Sequence, residues 1–168
     1  KGKLNIFVVP EDASITIDGQ PTEARTIYIN PGEHVVVGSK AGFKNDSRNI
    51  SIKKKEVQDV YLTPAPDSEE ARLWLAKNPQ AKMLREKYAG YNSALVQASI
   101  EKNYPIIKNL PLDTTYYDID YGVSKKNPQS PESIAIYITA LQANRQMALD
   151  WMKYKGFNPD KYEVIYLN

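Results

Sequence analysis

The chain has 168 residues, with 22 Lys and Arg against 20 Asp and Glu, a formal net charge of +2, 42% hydrophobic residues and no cysteine. A chain of this composition folds, and lacking thiols it has no thiol nucleophile, disulfide or thiolate metal site. The first 63 residues carry 9 basic and 8 acidic side chains and the remainder 13 and 12, so neither part has the positive excess of a sequence-independent nucleic-acid binder.

No apolar run approaches the roughly 18 residues that a spanning helix needs. The chain starts at Lys1 rather than Met. A processed chain is therefore expected, touching a membrane only through an anchor preceding Lys1.

Residues 1–63 read as short strands divided by turns. Leu4-Asn5-Ile6-Phe7-Val8-Val9 stops at Pro10, and Ser14-Ile15-Thr16-Ile17-Asp18 alternates up to the turn dipeptide Asp18-Gly19. Thr26-Ile27-Tyr28-Ile29 alternates again and stops at Asn30-Pro31-Gly32, followed by His34-Val35-Val36-Val37, Asn49-Ile50-Ser51-Ile52 and Val57 to Leu62. This spacing predicts an all-β sandwich. Its inward residues are expected to be Ile6, Val8, Ile15, Ile17, Ile27, Ile29, Val35, Val37, Ile50, Ile52, Val60 and Leu62. Thr63-Pro64-Ala65-Pro66 reads as a hinge, because two prolines deny backbone donors to either neighbour. The expected division is a domain of residues 1–63 and an α+β domain of residues 64–168.

Asp67 with Glu70 has capping-box spacing, predicting a helix that ends before Asn78-Pro79. A second helix is expected over residues 80–102, with a break at Gly90 left open. Two alternating runs follow, Tyr116-Tyr117-Asp118-Ile119-Asp120-Tyr121 and Ile134-Ala135-Ile136-Tyr137-Ile138. The polar stretch between them, residues 122–133, predicts a mobile loop. Thr139 and Gln142 repeat the capping-box spacing ahead of a helix bearing Ala140, Ala143, Met147, Ala148, Trp151 and Met152, which Gly156 should terminate. A last strand, Tyr162 to Leu167, should pair parallel to its predecessor. The second domain is thus expected to hold two or three leading helices, a three-stranded sheet and a packed helix.

The first 63 residues resemble the PEGA domain, a small β-sandwich of bacterial and archaeal surface proteins. The likeness lies in Pro10-Glu11-Asp12-Ala13-Ser14-Ile15-Thr16-Ile17-Asp18-Gly19, in Ile29-Asn30-Pro31-Gly32-Glu33-His34-Val35-Val36-Val37, in Gly42-Phe43 and in Val60-Tyr61-Leu62-Thr63-Pro64. Pro21-Thr22-Glu23-Ala24-Arg25 departs from the family's usual Gly-x-Thr-Pro turn. The resemblance implies an extracytoplasmic module with a binding or spacer role and no catalytic residues. The remainder resembles uncharacterised domains that follow PEGA modules in bacterial envelope proteins.

His34 is the only histidine. Catalysis or metal binding would need partners beside it, and a structural role at a strand start is the expectation. Asp118 and Asp120, two apart on a strand, share a face. They could act as paired carboxylates or simply form a solvated edge. Tyr116 and Tyr137 are expected on that same face, where tyrosine rings beside carboxylates could stack on a sugar or meet a protein. Lys53-Lys54-Lys55, and Lys82, Arg85 and Lys87, form small basic clusters; the triple lysine near a strand end could simply discourage edge pairing, or such clusters could attract an anionic envelope polymer or lipid head groups.

The expected function is that of a non-enzymatic interaction or scaffold protein, located outside the cytoplasm in a bacterial cell envelope. Its partners would be an envelope protein or a surface polysaccharide, with no cofactor and no metal. The alternatives are a glycan-binding module using Tyr116, Asp118, Asp120 and Tyr137, and, ranked last, a hydrolase using the two aspartates.

Overall fold

The computed structural model describes residues 1–168. It is a mixed α+β fold with three α-helices and four sheets. Its internal contacts gather into two compact units, Lys1–Ser93 and Ala94–Asn168.

The first unit begins with β1 (Gly2–Val8), β2 (Ser14–Ile17), β3 (Gln20–Thr22), β4 (Thr26–Ile29) and β5 (Gly32–Ser39). It continues with β6 (Phe43–Lys44), β7 (Asp46–Ile52), β8 (Val57–Leu62) and β9 (Ala65–Pro66). One sheet runs β4-β1-β8, a second β3-β2-β5-β7, and β6 pairs with β9. Buried side chains from the two larger sheets form a single cluster: Leu4, Ile6, Val8, Val60 and Leu62 from one, Ile15, Ile17, Val36 and Ile50 from the other. Gly38 faces the same layer, where an added Cβ would stand 3.3 Å from the Leu62 side chain and 3.4 Å from Val8. The absent side chain lets the two sheets approach there.

The turn expected at Asp18-Gly19 forms, with φ of 51° and 79°. Two consecutive left-handed residues are what a type I′ hairpin requires. The strand it leads into, β3, contains Pro21, and its place at a sheet edge explains why a proline is tolerated.

The expected phase of β5 is corrected. Val35 is 40% exposed and Val36 is fully buried. Three successive valines carry no alternation of their own. Pairing of Val36 with Ile17, and of His34 with Ile50, sets which side faces the core.

The Thr63–Pro66 segment, read above as a hinge, is fastened down. Asp46 Oδ2 accepts from Thr63 N at 2.7 Å, Arg85 donates to the Thr63 and Pro64 carbonyls, and Ala65–Pro66 pairs with Phe43–Lys44.

The helix α1 (Glu69–Lys77) is capped by Ser68, whose Oγ accepts from Ala71 N at 3.1 Å, not by Asp67 as the spacing had suggested. The cap shifts because Gly42 O accepts from both Asp67 N and Ser68 N, which fixes where the helix starts. Pro79 opens α2 (Pro79–Asn103), which passes Gly90 without a break. In the first unit, Tyr88 and Tyr91 of α2 lie on Tyr61, with centroids 5.1 and 4.9 Å away, and Phe7 stacks on Tyr61 at 5.1 Å. Asn92 Nδ2 donates to Tyr61 O at 3.0 Å. These contacts cover the outward faces of β1 and β8, where Phe7 and Tyr61 are direct neighbours.

The second unit holds β10 (Leu112–Asp113), β11 (Tyr117–Val123), β12 (Ile134–Ala140), α3 (Arg145–Tyr154) and β13 (Val164–Leu167). Its sheet runs β10-β11-β12-β13 and so has four strands rather than three. The extra strand is two residues long, too short to show alternation. β13 pairs parallel to β12, as a strand–helix–strand unit should. Ile100, Ile106, Ile119, Ile136, Ile138, Ala148 and Met152 form its core.

The helix start expected at Thr139 is also corrected. Thr139 stays in β12 opposite Leu167, and a short 3-10 turn, Gln142–Asn144, precedes α3. Strand pairing holds this β-branched residue extended. At the far end Gly156, with φ 86°, donates to Lys153 O, and Phe157 N donates to Met152 O. This double closure is a Schellman motif.

Candidate functional site

His34 begins the inward side of β5. Its Nδ1–H donates to Asp18 Oδ2 at 2.7 Å and its Nε2–H to Asn30 O at 2.8 Å. Both partners are acceptors, so the doubly protonated ring satisfies both at once. The bond to Asp18, then that to Asn30, raises the His34 pKa above its usual value. The His34 bond, with a second from Val35 N, holds the Asp18 carboxyl below the usual carboxylate range. The ring thus ties the β2–β3 turn to the chain entering β5, and neither nitrogen is left for substrate or metal. No group of three or more His, Asp or Glu side chains is placed to hold a metal ion.

The second candidate lies on β11 and β12. Asp120 stands opposite Tyr137 and Asp118 opposite Thr139. Side chains of directly paired residues project to the same side, so Asp118, Asp120, Tyr137 and Thr139 share the face turned away from Ile119, Ile136 and Ile138. Asp113 of β10 faces Asp118 across the strands and adds a third carboxylate to the row. Tyr116, 59% exposed, precedes the paired strand, and its carbonyl accepts from Asn144 Nδ2. The sheet therefore brings three of the four residues together by register and leaves Tyr116 at its margin.

Tyr137 is held in a particular attitude. Its hydroxyl donates to Val123 O at 2.8 Å, and a Cβ at Gly122 would lie 3.1 Å from its Cε2. The ring therefore lies down along β11 over a position that has no side chain. Asp120 is exposed beside it, its Oδ1 accepting from Tyr121 N at 2.8 Å, and Asp118 Oδ1 accepts from Thr114 N. A fixed aromatic ring bordered by carboxylate acceptors can stack on a sugar ring and accept from its hydroxyls.

No protein-family model matches the chain, and neither does any curated protein.

A third constellation went unseen in the sequence. Ser124, at the start of the loop expected to be mobile, is 2% exposed, and its Oγ donates to Glu163 Oε2 at 2.5 Å. Glu163 Oε1 accepts from Lys125 N and Lys126 N, each at 3.1 Å, and Asn127 N donates to Ser124 Oγ at 3.0 Å. Farther along, Glu132 accepts from Ser99 Oγ at 2.8 Å. The loop is thus pinned at its base, in place of the free excursion its composition predicted. The partners are 39 residues apart, and no local pattern relates them.

The basic clusters divide. Lys53, Lys54 and Lys55 are exposed in the β7–β8 turn, whereas Arg85 is drawn to the Thr63 and Pro64 carbonyls, and Lys87 Nζ sits 5.7 Å from the centre of the Tyr91 ring. Arg85 therefore serves to fasten the Thr63–Pro66 segment, while Lys87 stays exposed.

Proposed function

We propose that this chain is a non-enzymatic interaction or scaffold protein, acting outside the cytoplasm in a bacterial cell envelope, whose residues 1–63 form a PEGA-like β-sandwich. The observation that carries the reading is that the residues behind the resemblance have architectural uses. Asp18 and Gly19 make the primed turn, Gly32 and Gly42 take positive φ, and both nitrogens of His34 are bonded within the chain. Such a module transmits position and needs no reactive group. With α1 and the first turns of α2 bonded to it, it would serve as a stiff spacer.

The test is photo-cross-linking of the full-length protein in intact cells of its source. Covalent products with envelope proteins or surface polysaccharide are expected. Recovery of cytosolic partners alone would overturn the proposal.

A second reading has its own support. The flat Tyr137 ring over Gly122, with Asp120 directly across the strand, favours recognition of a glycan on the β11–β12 face. Co-sedimentation with insoluble peptidoglycan or capsular polysaccharide should fall at least about tenfold on Tyr137→Ala, a stacking loss of about 1.4 kcal/mol. Equal binding by the two proteins removes this reading.

A further inference from the structure

We propose that the end of the first unit carrying the β7–β8 turn docks on a lipid surface rich in anionic headgroups, through Lys1, Lys3, Lys53, Lys54 and Lys55. This adds a direct membrane contact to the anchor expected from the sequence. It does not rest on the envelope role proposed above, because vesicle binding is measured apart from any partner captured by cross-linking in cells.

The fold gathers these lysines at one end of the strands. Lys53, Lys54 and Lys55 make the turn, and all three are exposed. Lys55 N donates to Lys1 O at 3.0 Å and Lys3 N to Glu56 O at 2.8 Å, which ties the turn to the start of β1. Glu56 closes it, its Oε2 accepting from Lys53 N at 2.6 Å and its own N donating to Lys53 O at 3.2 Å. The carboxylates nearby are Glu33 and Glu56, with Asp59 farther along β8, while Asp18 is already paired with His34. Five ammonium groups thus outnumber three carboxylates. None of the five is in an ion pair; the chain's lysine and arginine pairs, Lys40–Asp12 and Arg48–Asp46, lie toward the opposite ends of β5 and β7.

Two details set these lysines apart from ordinary surface charge. Lys55 takes φ 66°, a left-handed conformation that suits glycine better than any residue with a side chain. The turn therefore carries its third charge at a cost in backbone strain, as contact sites often do. The three lysines also lie past Ile52, the last residue of β7 paired with β5, so they do not shield the strand edge. Apolar side chains beside them select a lipid surface over a soluble polyanion. Lys3 stands directly between Tyr28 of β4 and Val57 of β8 on the outward face, and both neighbours are 61% exposed. Tyrosine is favoured at headgroup level, where its ring meets acyl carbon and its hydroxyl meets water. A soluble polyanion offers nothing to Val57 or to the Tyr28 ring.

The experiment is flotation of the whole chain with vesicles made of equal parts phosphatidylcholine and phosphatidylglycerol, beside vesicles of phosphatidylcholine alone. Binding is expected only to the anionic vesicles, and raising the salt from about 0.05 to about 0.5 M should release it. Each lysine near such a surface is worth about fivefold in partitioning, so Lys53→Gln, Lys54→Gln and Lys55→Gly together should weaken binding about a hundredfold. The glycine relieves the turn, so thermal unfolding of this variant should come no earlier than that of the wild type. Lys77→Gln, Lys82→Gln and Lys87→Gln together remove the same charge from the exposed sides of α1 and α2, and should weaken binding less than about threefold. Tyr28→Ser with Val57→Ser should weaken vesicle binding at least about threefold and leave elution from phosphocellulose unchanged. The proposal is overturned if the anionic vesicles are not bound at low salt, if both lipid compositions bind equally, or if the two lysine triples lose binding alike. Vesicle binding indifferent to the Tyr28 and Val57 pair also overturns it, and assigns the lysines to a soluble polyanion instead.

Discussion

Replacing each of two adjacent valines by alanine tests the packing of the first unit at its most ambiguous point. Val36 is fully buried in the shared core and Val35 is 40% exposed on the opposite face. Val→Ala removes two carbons, worth about 1.6 kcal/mol when fully buried at ~0.8 kcal/mol each. The cavity left among side chains that relax only partly brings the cost at Val36 to about 2–3 kcal/mol. At Val35 at most about three-fifths of the transfer term applies and no cavity forms, so the loss stays below about 1 kcal/mol. Loss of β-propensity is common to both variants and cancels in the comparison.

Urea unfolding followed by tryptophan fluorescence separates the two. The chain has two tryptophans, Trp74 and Trp151, one in each unit. In a Trp151→Phe background the signal comes from Trp74, which packs edge-on to Phe43 at 6.0 Å. With a slope of about 1.5 kcal/mol/M, Val36→Ala should lower the midpoint by about 1.3–2 M and Val35→Ala by less than about 0.7 M. Equal shifts, or a larger one at Val35, would show that the register of β5 is displaced by one residue.

Other expected outcomes follow the same logic. At Gly42 φ is 79° and an added Cβ would stand 2.7 Å from Ser68 Oγ. Gly42→Ala should therefore cost about 2–3 kcal/mol, against about 1 kcal/mol for Ser68→Ala, which loses the cap alone; thermal unfolding that ranks them the other way refutes the docking of α1 on this turn. The raised His34 pKa gives a contribution to stability that is complete below about pH 6.5 and declines as pH rises through the folded-state value. The depressed Asp18 pKa gives one that is present above its ordinary value of 3.8 and lost as pH falls through the lowered folded-state value. Urea midpoints from pH 3 to 9 should thus show the wild-type advantage over His34→Gln shrinking at the alkaline end, and a gap that is constant with pH contradicts the assignment. Glu163→Ala removes the acceptor for two loop amides, so hydrogen exchange at Lys125 and Lys126 should quicken by at least about tenfold; unchanged exchange means that the loop is held by something else.

Much of the secondary structure was legible because it is written in short-range chemistry. Asp18-Gly19 announces a primed turn, Asn78-Pro79 a break between helices and Gly156 a helix end, since each depends on the backbone freedom of one or two residues. The boundaries that failed were those where a distant group outbid a local signal. Asp67 had the right spacing for a cap, but Gly42 O takes its N–H and that of Ser68. Thr139 had it too, and lost it to pairing with β13.

Of the candidate residues, alternation alone put Asp118 and Asp120 on one face. That Tyr137 joins them follows from register, which no property of either strand in isolation specifies. The attitude of its ring depends on the vacancy above Gly122, a fact visible only once the strands are paired. Ser124, Lys126 and Glu163 belong to segments almost 40 residues apart, and residue types so common give no motif when separated.

The sequence by itself therefore determined where the chain turns and where its main strands and helices lie to within a few residues. Tertiary structure alone decided which of three valines faces inward, that an apparent hinge is tied down, and which polar groups meet at the base of a loop. The reason is physical: turns and periodicity depend on neighbours along the chain, whereas register, packing phase and convergent polar groups depend on partners that the fold brings from far away.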